Sequence, residues 1–181
     1  MKIRLVKPQD CKQILNIYAQ YINTSITFEY ELPSEEDFAK RIDEISETYP
    51  YLVLEENEKI LGYTYARRLR ERAAYQWIAE LSIYLDQNIT SKGYGRILYE
   101  KLIKILKMQG IKTVYGCVTM PNEKSEKLHE KLGFKKVGVF SKAGYKNEKW
   151  IDIAWFEKNI STCELNPKDI VSIKNLKIFN D

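Results

Sequence analysis

An α/β fold is what this sequence predicts, on three observations. Helical and strand periodicities alternate along the chain, residues 51–67 carry the pattern of a β-hairpin, and residues 77–108 read as strand, glycine turn and helix.

The elements follow in order. Residues 2–6 alternate as a first strand, and residues 10–22 carry Ile14, Ile17, Tyr18 and Tyr21 on one helical face. Ser34, three residues before Asp37, forms a variant capping box that opens a second helix to about Thr48, with Phe38, Ile42 and Ile45 inward. Residues 51–55 and 60–67 are two strands around the Glu56-Asn57-Glu58 turn, and the strand through Glu80 extends their sheet. Residues 113–118 form an apolar strand. Asn122 then caps a helix bearing Leu128 and Leu132, and Gly133 stops it by its access to positive φ. Residues 134–140 and 150–156 read as closing strands. The organisation expected is a domain over residues 1–160 and an extension over 161–181 whose apolar pattern is patchy, packing on the domain or on a partner.

The segment from Trp77 to Met108 holds the chemistry. Its strand carries one acid, Glu80, among apolar neighbours, and Gly93-Tyr94-Gly95-Arg96 leads into the helix from Ile97. Glycines allow close backbone approach, and unpaired N–H groups at a helix start meet the positive end of its dipole, which suits a phosphate. Two better-known signatures do not fit. The Gly-Lys-Ser/Thr spacing of a P-loop is missing, and the third glycine of a dinucleotide fingerprint is replaced by Leu98.

Composition sets the bounds. With 181 residues, 44% of them hydrophobic, the chain supports one sizeable core. No apolar run approaches the ~20 residues of a membrane span, and the N-terminus lacks a signal-peptide pattern, so a cytoplasmic protein without membrane contact is expected. Cys11, Cys117 and Cys163 are far apart, and there is one histidine, so no metal site is expected and the cysteines read as reduced structural thiols, with Cys117 buried on its strand. The net charge of +4 arises from 29 basic and 25 acidic residues spread along the chain, which does not suggest nucleic acid. Lys101, Lys104 and Lys107 form the solvated face of a helix that buries Leu102, Ile103 and Leu106. The dense basic cluster is Arg67, Arg68, Arg70 and Arg72.

Glu80 and its strand, the Gly93-x-Gly95 loop, and residues 121–134 (PNEKSEKLHEKLGF), in that order, resemble the GNAT superfamily of acetyl-CoA-dependent N-acetyltransferases. Residues 23–29 (NTSITFE), 70–77 (RERAAYQW) and 143–146 (AGYK) ahead of Trp150 most resemble its phosphinothricin and methionine sulfoximine acetyltransferases, and the likeness covers residues 2–159. The resemblance implies a central mixed, mostly antiparallel sheet flanked by helices, and a homodimer, with which the abundance of tyrosine is compatible.

The resemblance also implies the site. Backbone amides from Ser91 through Lys92, Gly93, Tyr94 and Gly95 to Arg96 would hold the pyrophosphate of coenzyme A, with Thr90 beside them. The backbone of Ser82, Ile83, Tyr84 and Leu85 would pair with the pantetheine arm. Asn122 would touch the cofactor, with Ser125 in the same first helical turn. The family usually has Gln or Arg three residues before the first glycine, where this chain has Thr90. Glu80 is the expected base that takes the proton of the attacking amine, its pKa raised by an apolar setting; the alternative is a structural pair with a basic neighbour such as Arg72. His129, where many GNAT enzymes have tyrosine, would donate to the thioester region or orient the substrate. Arg70, Arg72 and Tyr75 match the part of the family that binds the acceptor's anionic groups, with Phe28 closing the pocket and Tyr99 contributing from the helix. The implied reaction is direct acetyl transfer, without a covalent enzyme intermediate, to the primary amine of a small amino-acid analogue. The alternatives are another amine (a peptide N-terminus, an antibiotic or a polyamine) or a non-catalytic acetyl-CoA-binding module. The arginine cluster disfavours a polyamine.

Overall fold

The computed structural model describes residues 1–90 and 92–177. Seven strands form one sheet: β1 (Lys2–Leu5), β2 (Tyr51–Glu56), β3 (Lys59–Arg68), β4 (Ile78–Leu85), β5 (Thr113–Met120), β6 (Lys135–Lys146) and β7 (Lys149–Asn159). Their order is β1-β2-β3-β4-β5-β7-β6. Every neighbouring pair is antiparallel except β4 and β5, so the sheet is mixed and mostly antiparallel. The four α-helices are α1 (Cys11–Ala19), α2 (Glu35–Ser46), α3 (Tyr94–Gln109) and α4 (Glu123–Lys131).

Two cores lie on the two faces of the sheet. On one, Leu98, Leu102, Ile105 and Leu106 of α3 pack against Leu52, Leu54, Ala79, Leu81, Val114 and Phe156. On the other, Ile14, Ile17 and Tyr18 of α1 and Phe38 and Ile42 of α2 cover Tyr51, Val53 and Tyr63. Strand alternation divides β4 accordingly: Ala79 and Leu81 belong to the α3 core, whereas Tyr84, and with it Ser82 and Glu80, faces α1 and α2. Tyr51, Tyr65, Tyr63 and Tyr84 stack on that second face at 4.9–6.4 Å between centroids. Much of the tyrosine is therefore internal packing.

Local rules explain most boundaries. Ser34 Oγ accepts the Asp37 amide at 3.1 Å and opens α2 as a cap should. The helix expected over 10–22 ends at Ala19, because from Gln20 the amides bond three residues back and the chain tightens into turns. The closing strands run longer than expected. Asn147 and Glu148, at φ 51° and 61°, make the two-residue turn that lets pairing continue to Lys146 opposite Lys149, past an irregularity between Phe140 and Gly144.

The extension beyond β7 packs on the domain. Ile173 is buried in the α3 core, its amide bonds to Thr48 O at 3.0 Å, and buried Gln109 donates to Thr48 O and Val171 O. Residues 178–181 lie outside the described residues.

Candidate active site

The parallel pair at the centre of the sheet makes the site. β4 and β5 run in register from Ile78 opposite Thr113 to Leu81 opposite Gly116, and there their pairing ends, although both strands continue. Residues 82–85 remain paired with β3 on one side and present an unpaired edge on the other. An extended, amide-bearing arm can add to such an edge. On that edge Leu85 O already accepts the Tyr21 hydroxyl at 2.5 Å, while Ser82 O, turned toward β3, accepts from Thr64 at 2.7 Å.

At the end of that edge stands the start of α3. Gly93 is its N-cap at φ 85°, a conformation that needs glycine, and its carbonyl accepts the Arg96 and Ile97 amides. Gly95 has a packing role besides the close ligand approach expected of it. It lies buried within the first turn of α3, where a Cβ would come within 3.2 Å of Leu128 and 3.5 Å of Ile83, so its bareness lets the helix pack against β4 and α4. Lys92 and Arg96 are exposed, and Arg96 pairs with Glu100 at 2.7 Å. Ser91 lies outside the described residues. Thr90, in place of a long side chain, receives Lys124 Nζ of α4 at 3.4 Å. Lys124 thus returns a cation to this end of the cleft, a residue the sequence reading passed over.

Glu80 stands at the other end, just before the strands part. It is not set among apolar groups as expected: Arg67, its cross-strand partner on β3, donates to Glu80 Oε1 at 2.9 Å, and the Glu80 side chain keeps 12% of its surface exposed. The pairing residue is Arg67, not the Arg72 considered from sequence. Hairpin register was the signal that could have found it, since Arg67 lies directly opposite Glu80. Glu80 and Arg67 line an open groove of about 940 Å³, shared with Arg68, Glu71, Glu44 and Asp169.

Cys117 corrects another expectation. It is exposed, because it lies beyond the last residue of β5 paired with β4. Its thiol is nevertheless pushed up to about 11, by burial of the sulfur first and then by the Glu80 carboxylate, with Arg67 opposing. A thiol held in that range is neutral near pH 7, which fits a reaction with no covalent intermediate.

His129 lies across the sheet from Glu80. It is 2% exposed, packed on Phe134 and Phe156 at 5.0 and 5.1 Å between centroids, and Tyr99 meets it edge-on at 5.6 Å. The ring fits because residue 116 is glycine; a Cβ there would sit 2.2 Å from His129 Nε2. Nδ1 faces Ser125 O at 2.8 Å, so it carries the proton, and Nε2 is a buried acceptor without a partner. Burial pushes the imidazole below its usual range, the Ser125 carbonyl opposing, and keeps it neutral. In this tautomer His129 accepts at Nε2, which favours orientation over donation. Asn122 Oδ1 caps α4 by accepting the Ser125 amide at 3.2 Å. His129, Asn122, Ser125, Tyr99, Ser82 and Cys117 all line a small cavity of about 70 Å³ in the parting of β4 and β5.

Tyr99 lines that cavity although it is 1% exposed and belongs to the α3 core; burial first, then Tyr65 and Glu80, hold its hydroxyl well above the ordinary tyrosine range. The other expected substrate residues are not gathered there. Arg70, Arg72 and Tyr75 lie exposed on the loop before β4. Phe28, 37% exposed, lies against Gly144, where a Cβ would come within 2.6 Å of its ring. That contact belongs to a set that ties loop 22–30 to the β6–β7 hairpin. Buried Lys146 donates at 2.6 Å to both Ile22 O and Thr27 O, Asn147 donates to Asn23 O, and Tyr30 to Tyr145 O.

A parallel pair that parts beside a glycine-capped helix, with a carboxylate at the fork, defines an acyl-CoA-dependent transferase fold. The profile of the acetyltransferase (GNAT) domain matches residues 3–155. Phosphinothricin N-acetyltransferase of Streptomyces viridochromogenes is 31% identical over 88% of this chain and 87% of its own length. The L-methionine sulfoximine/L-methionine sulfone acetyltransferase of Salmonella typhimurium is 26% identical over 87% of this chain and 93% of its own. Among solved structures, a GNAT superfamily phosphinothricin acetyltransferase from Sinorhizobium meliloti in complex with AcCoA superposes with a TM-score of 0.84 at 32% identity, covering 87% of each chain. The chain belongs to the GNAT acetyltransferase family and is an acetyl-CoA-dependent N-acetyltransferase.

The residues present fit acetyl-CoA. The free edge of 82–85 suits the amides of its arm, the start of α3 with Lys124 and Lys92 suits its phosphates, and His129, whose Nε2 has no partner, is among the residues lining the cavity between. Among the described residues no helix is long and apolar enough to cross a membrane, and no cluster of three or more His, Cys, Asp and Glu could hold a metal.

Proposed function

We propose that this enzyme moves the acetyl group of acetyl-CoA directly to the primary amine of a small amino-acid analogue of the phosphinothricin or methionine sulfoximine type. The observation that carries the reading is the position of Glu80, at the fork of β4 and β5 and on the wall of an open groove, with Arg67 beside it. The relatives' acceptors support the substrate class.

Acetyl-CoA supplies an activated thioester carbonyl. The chain's own residues do the rest. The Glu80 carboxylate takes the proton that an ammonium acceptor must lose before its nitrogen can form the new C–N bond. The Arg67 guanidinium holds that carboxylate in place. Residues 82–85, Asn122, Ser125 and the amides around Gly93 hold the cofactor, with Lys124 joining Thr90. His129, neutral, can accept at Nε2 and so orients an N–H of the substrates, and the C–S bond breaks as the nitrogen gives up its second proton to solvent and the thiolate takes one from it. Arg70, Arg72, Tyr75 and Phe28 meet the acceptor's far end, where guanidinium forks suit a carboxylate or phosphinate. We further read the protein as a cytoplasmic homodimer. The exposed Val137, Val139, Phe140 and Trp150 of the β6–β7 edge support an interface.

Free-thiol release from acetyl-CoA tests the reading, with a panel of phosphinothricin, methionine sulfoximine, methionine sulfone, common amino acids and spermidine. Turnover is expected for the amino-acid analogues and not for spermidine. Glu80→Gln should lower kcat by about 10²–10⁴-fold while acetyl-CoA binding, followed by calorimetry, is kept. Binding of acetyl-CoA with no turnover of any amine would move the protein to a sensing role.

A further inference from the structure

Residues 164–177 run as a strap along the domain, beyond the stretch that the family profile matches, which ends at residue 155. Lys112 pairs with Glu164 at 2.7 Å where the strap begins, and Ile173 is sunk in the α3 core where it ends. Between these anchors the strap fastens on two residues just ahead of β4. Trp77 Nε1 donates to Lys168 O at 2.9 Å, Gln76 Nε2 donates to Asp169 Oδ1 at 2.9 Å, and Gln76 Oε1 accepts the Ile170 amide at 3.3 Å. Gln76 thus uses both ends of its amide on the strap. Four residues later comes Glu80, and just before Gln76 lies the exposed loop that carries Arg70, Arg72 and Tyr75. Asp169 and Ile170 also line the 940 Å³ groove onto which Glu80 opens.

We propose that this strap is a positioning element of the acceptor site: through Gln76 and Trp77 it fixes the segment between the recognition loop and Glu80, and it forms one wall of the groove by which the amine arrives. The physical argument is one of order. Loop 69–77 contains only a single 3-10 turn, Ala73–Tyr75, and no α-helix or strand, so its own hydrogen bonds hold it weakly. A loop that must place guanidiniums within a fraction of an ångström needs support from outside itself. The strap gives three hydrogen bonds at its C-terminal end, where it turns into β4. The three side-chain bonds to Gln76 and Trp77 all fall ahead of Glu80, and none reaches residues 82–85 or the start of α3, so the strap's influence is expected on the acceptor side.

The inference rests on the acceptor reading given above, and the test separates the two. Gln76→Glu removes the donor facing Asp169 and sets two carboxylates together; Asp169→Asn keeps an amide oxygen to which Gln76 still donates and is the control. Combined, the two changes restore a donor opposite an acceptor, with the Ile170 amide still accepted and the net charge unchanged. Gln76→Glu alone should raise the acceptor KM about threefold to tenfold, the range of one lost hydrogen bond, with kcat and the acetyl-CoA KM unchanged, whereas Asp169→Asn alone should change it by less than about twofold. Amide hydrogen exchange over residues 69–77 should quicken in Gln76→Glu. The double variant should return both readouts to within about twofold of wild type. Unchanged acceptor KM and exchange in Gln76→Glu would overturn the proposal, as would KM values for both substrates rising together without recovery in the double. If wild type acetylates no amine, the acceptor reading fails, and the exchange pattern alone decides whether the strap holds the loop.

Discussion

The cofactor side and the acceptor side of this cleft are built in opposite ways. As proposed, the cofactor side comes mostly from one short stretch of sequence, the end of β4 with the start of α3, joined by the first turns of α4. The proposed acceptor side is assembled from loop 22–30, the end of β3, the loop before β4, the β6–β7 hairpin and the C-terminal strap. A locally encoded half tolerates loss of distant contacts. A half stitched from five segments depends on each stitch, so single substitutions should separate the two.

The largest separation is expected from Lys146→Met. It removes two charge-assisted bonds that hold Ile22 O and Thr27 O, and leaves those buried carbonyls without a donor. Chemical denaturation should show a loss of about 3 kcal/mol, and steady-state kinetics a raised acceptor KM against an unchanged acetyl-CoA KM. Equal rises in both KM values would show that the two sides are not separable.

Next comes Gly116→Ala, which drives a methyl into His129 Nε2. Overpacking at this site should cost about 1–3 kcal/mol in thermal or denaturant unfolding, and weaken acetyl-CoA binding. Gly138→Ala is the control, since nothing lies within 4 Å of a Cβ there; equal effects from the two would discount the packing argument.

The pH dependence of stability sharpens the account of His129. Its folded value lies below its unfolded one, so the unfolded chain binds more protons as pH falls. The stability this group permits is complete above about pH 6.5 and is lost as pH falls from there toward the folded value. The slope from this residue should approach, at most, about 1.4 kcal/mol per pH unit. His129→Gln should flatten that stretch of a stability–pH curve, and an unchanged slope would assign it to other groups.

The smallest effect concerns Thr90. Because Lys124 already reaches it, Thr90→Arg should improve the acetyl-CoA KM by no more than about threefold, whereas Lys124→Gln should weaken it by a similar factor at low salt and less at high salt. A tenfold gain from Thr90→Arg would mean that Lys124 does not compensate.

What was legible in the sequence follows this same division. Glu80, the αL glycine at 93, the cap at Asn122 and the hairpin turn at Asn57 and Glu58 are local patterns whose geometry is set within a few residues. Arg67, Lys124, Lys146 and Gly116 carry no such local mark. Their roles depend on strand register, on the angle between α4 and the glycine turn, and on the meeting of a hairpin with a loop more than a hundred residues away. Even at Gly95, singled out for ligand approach, packing against Leu128 and Ile83 supplies a reason for glycine that the sequence does not show.

The sequence by itself determined the alternation of elements, the family and the carboxylate at the fork, because periodicity, caps and motifs act over short distances. Only the tertiary structure decided which arginine pairs with Glu80, which tautomer His129 adopts, that Cys117 is exposed, and that residues 168–170 bond back to the segment just ahead of β4. Each of these depends on hydrogen bonds and burial between segments far apart in sequence, whose partners exist only once the chain has closed upon itself.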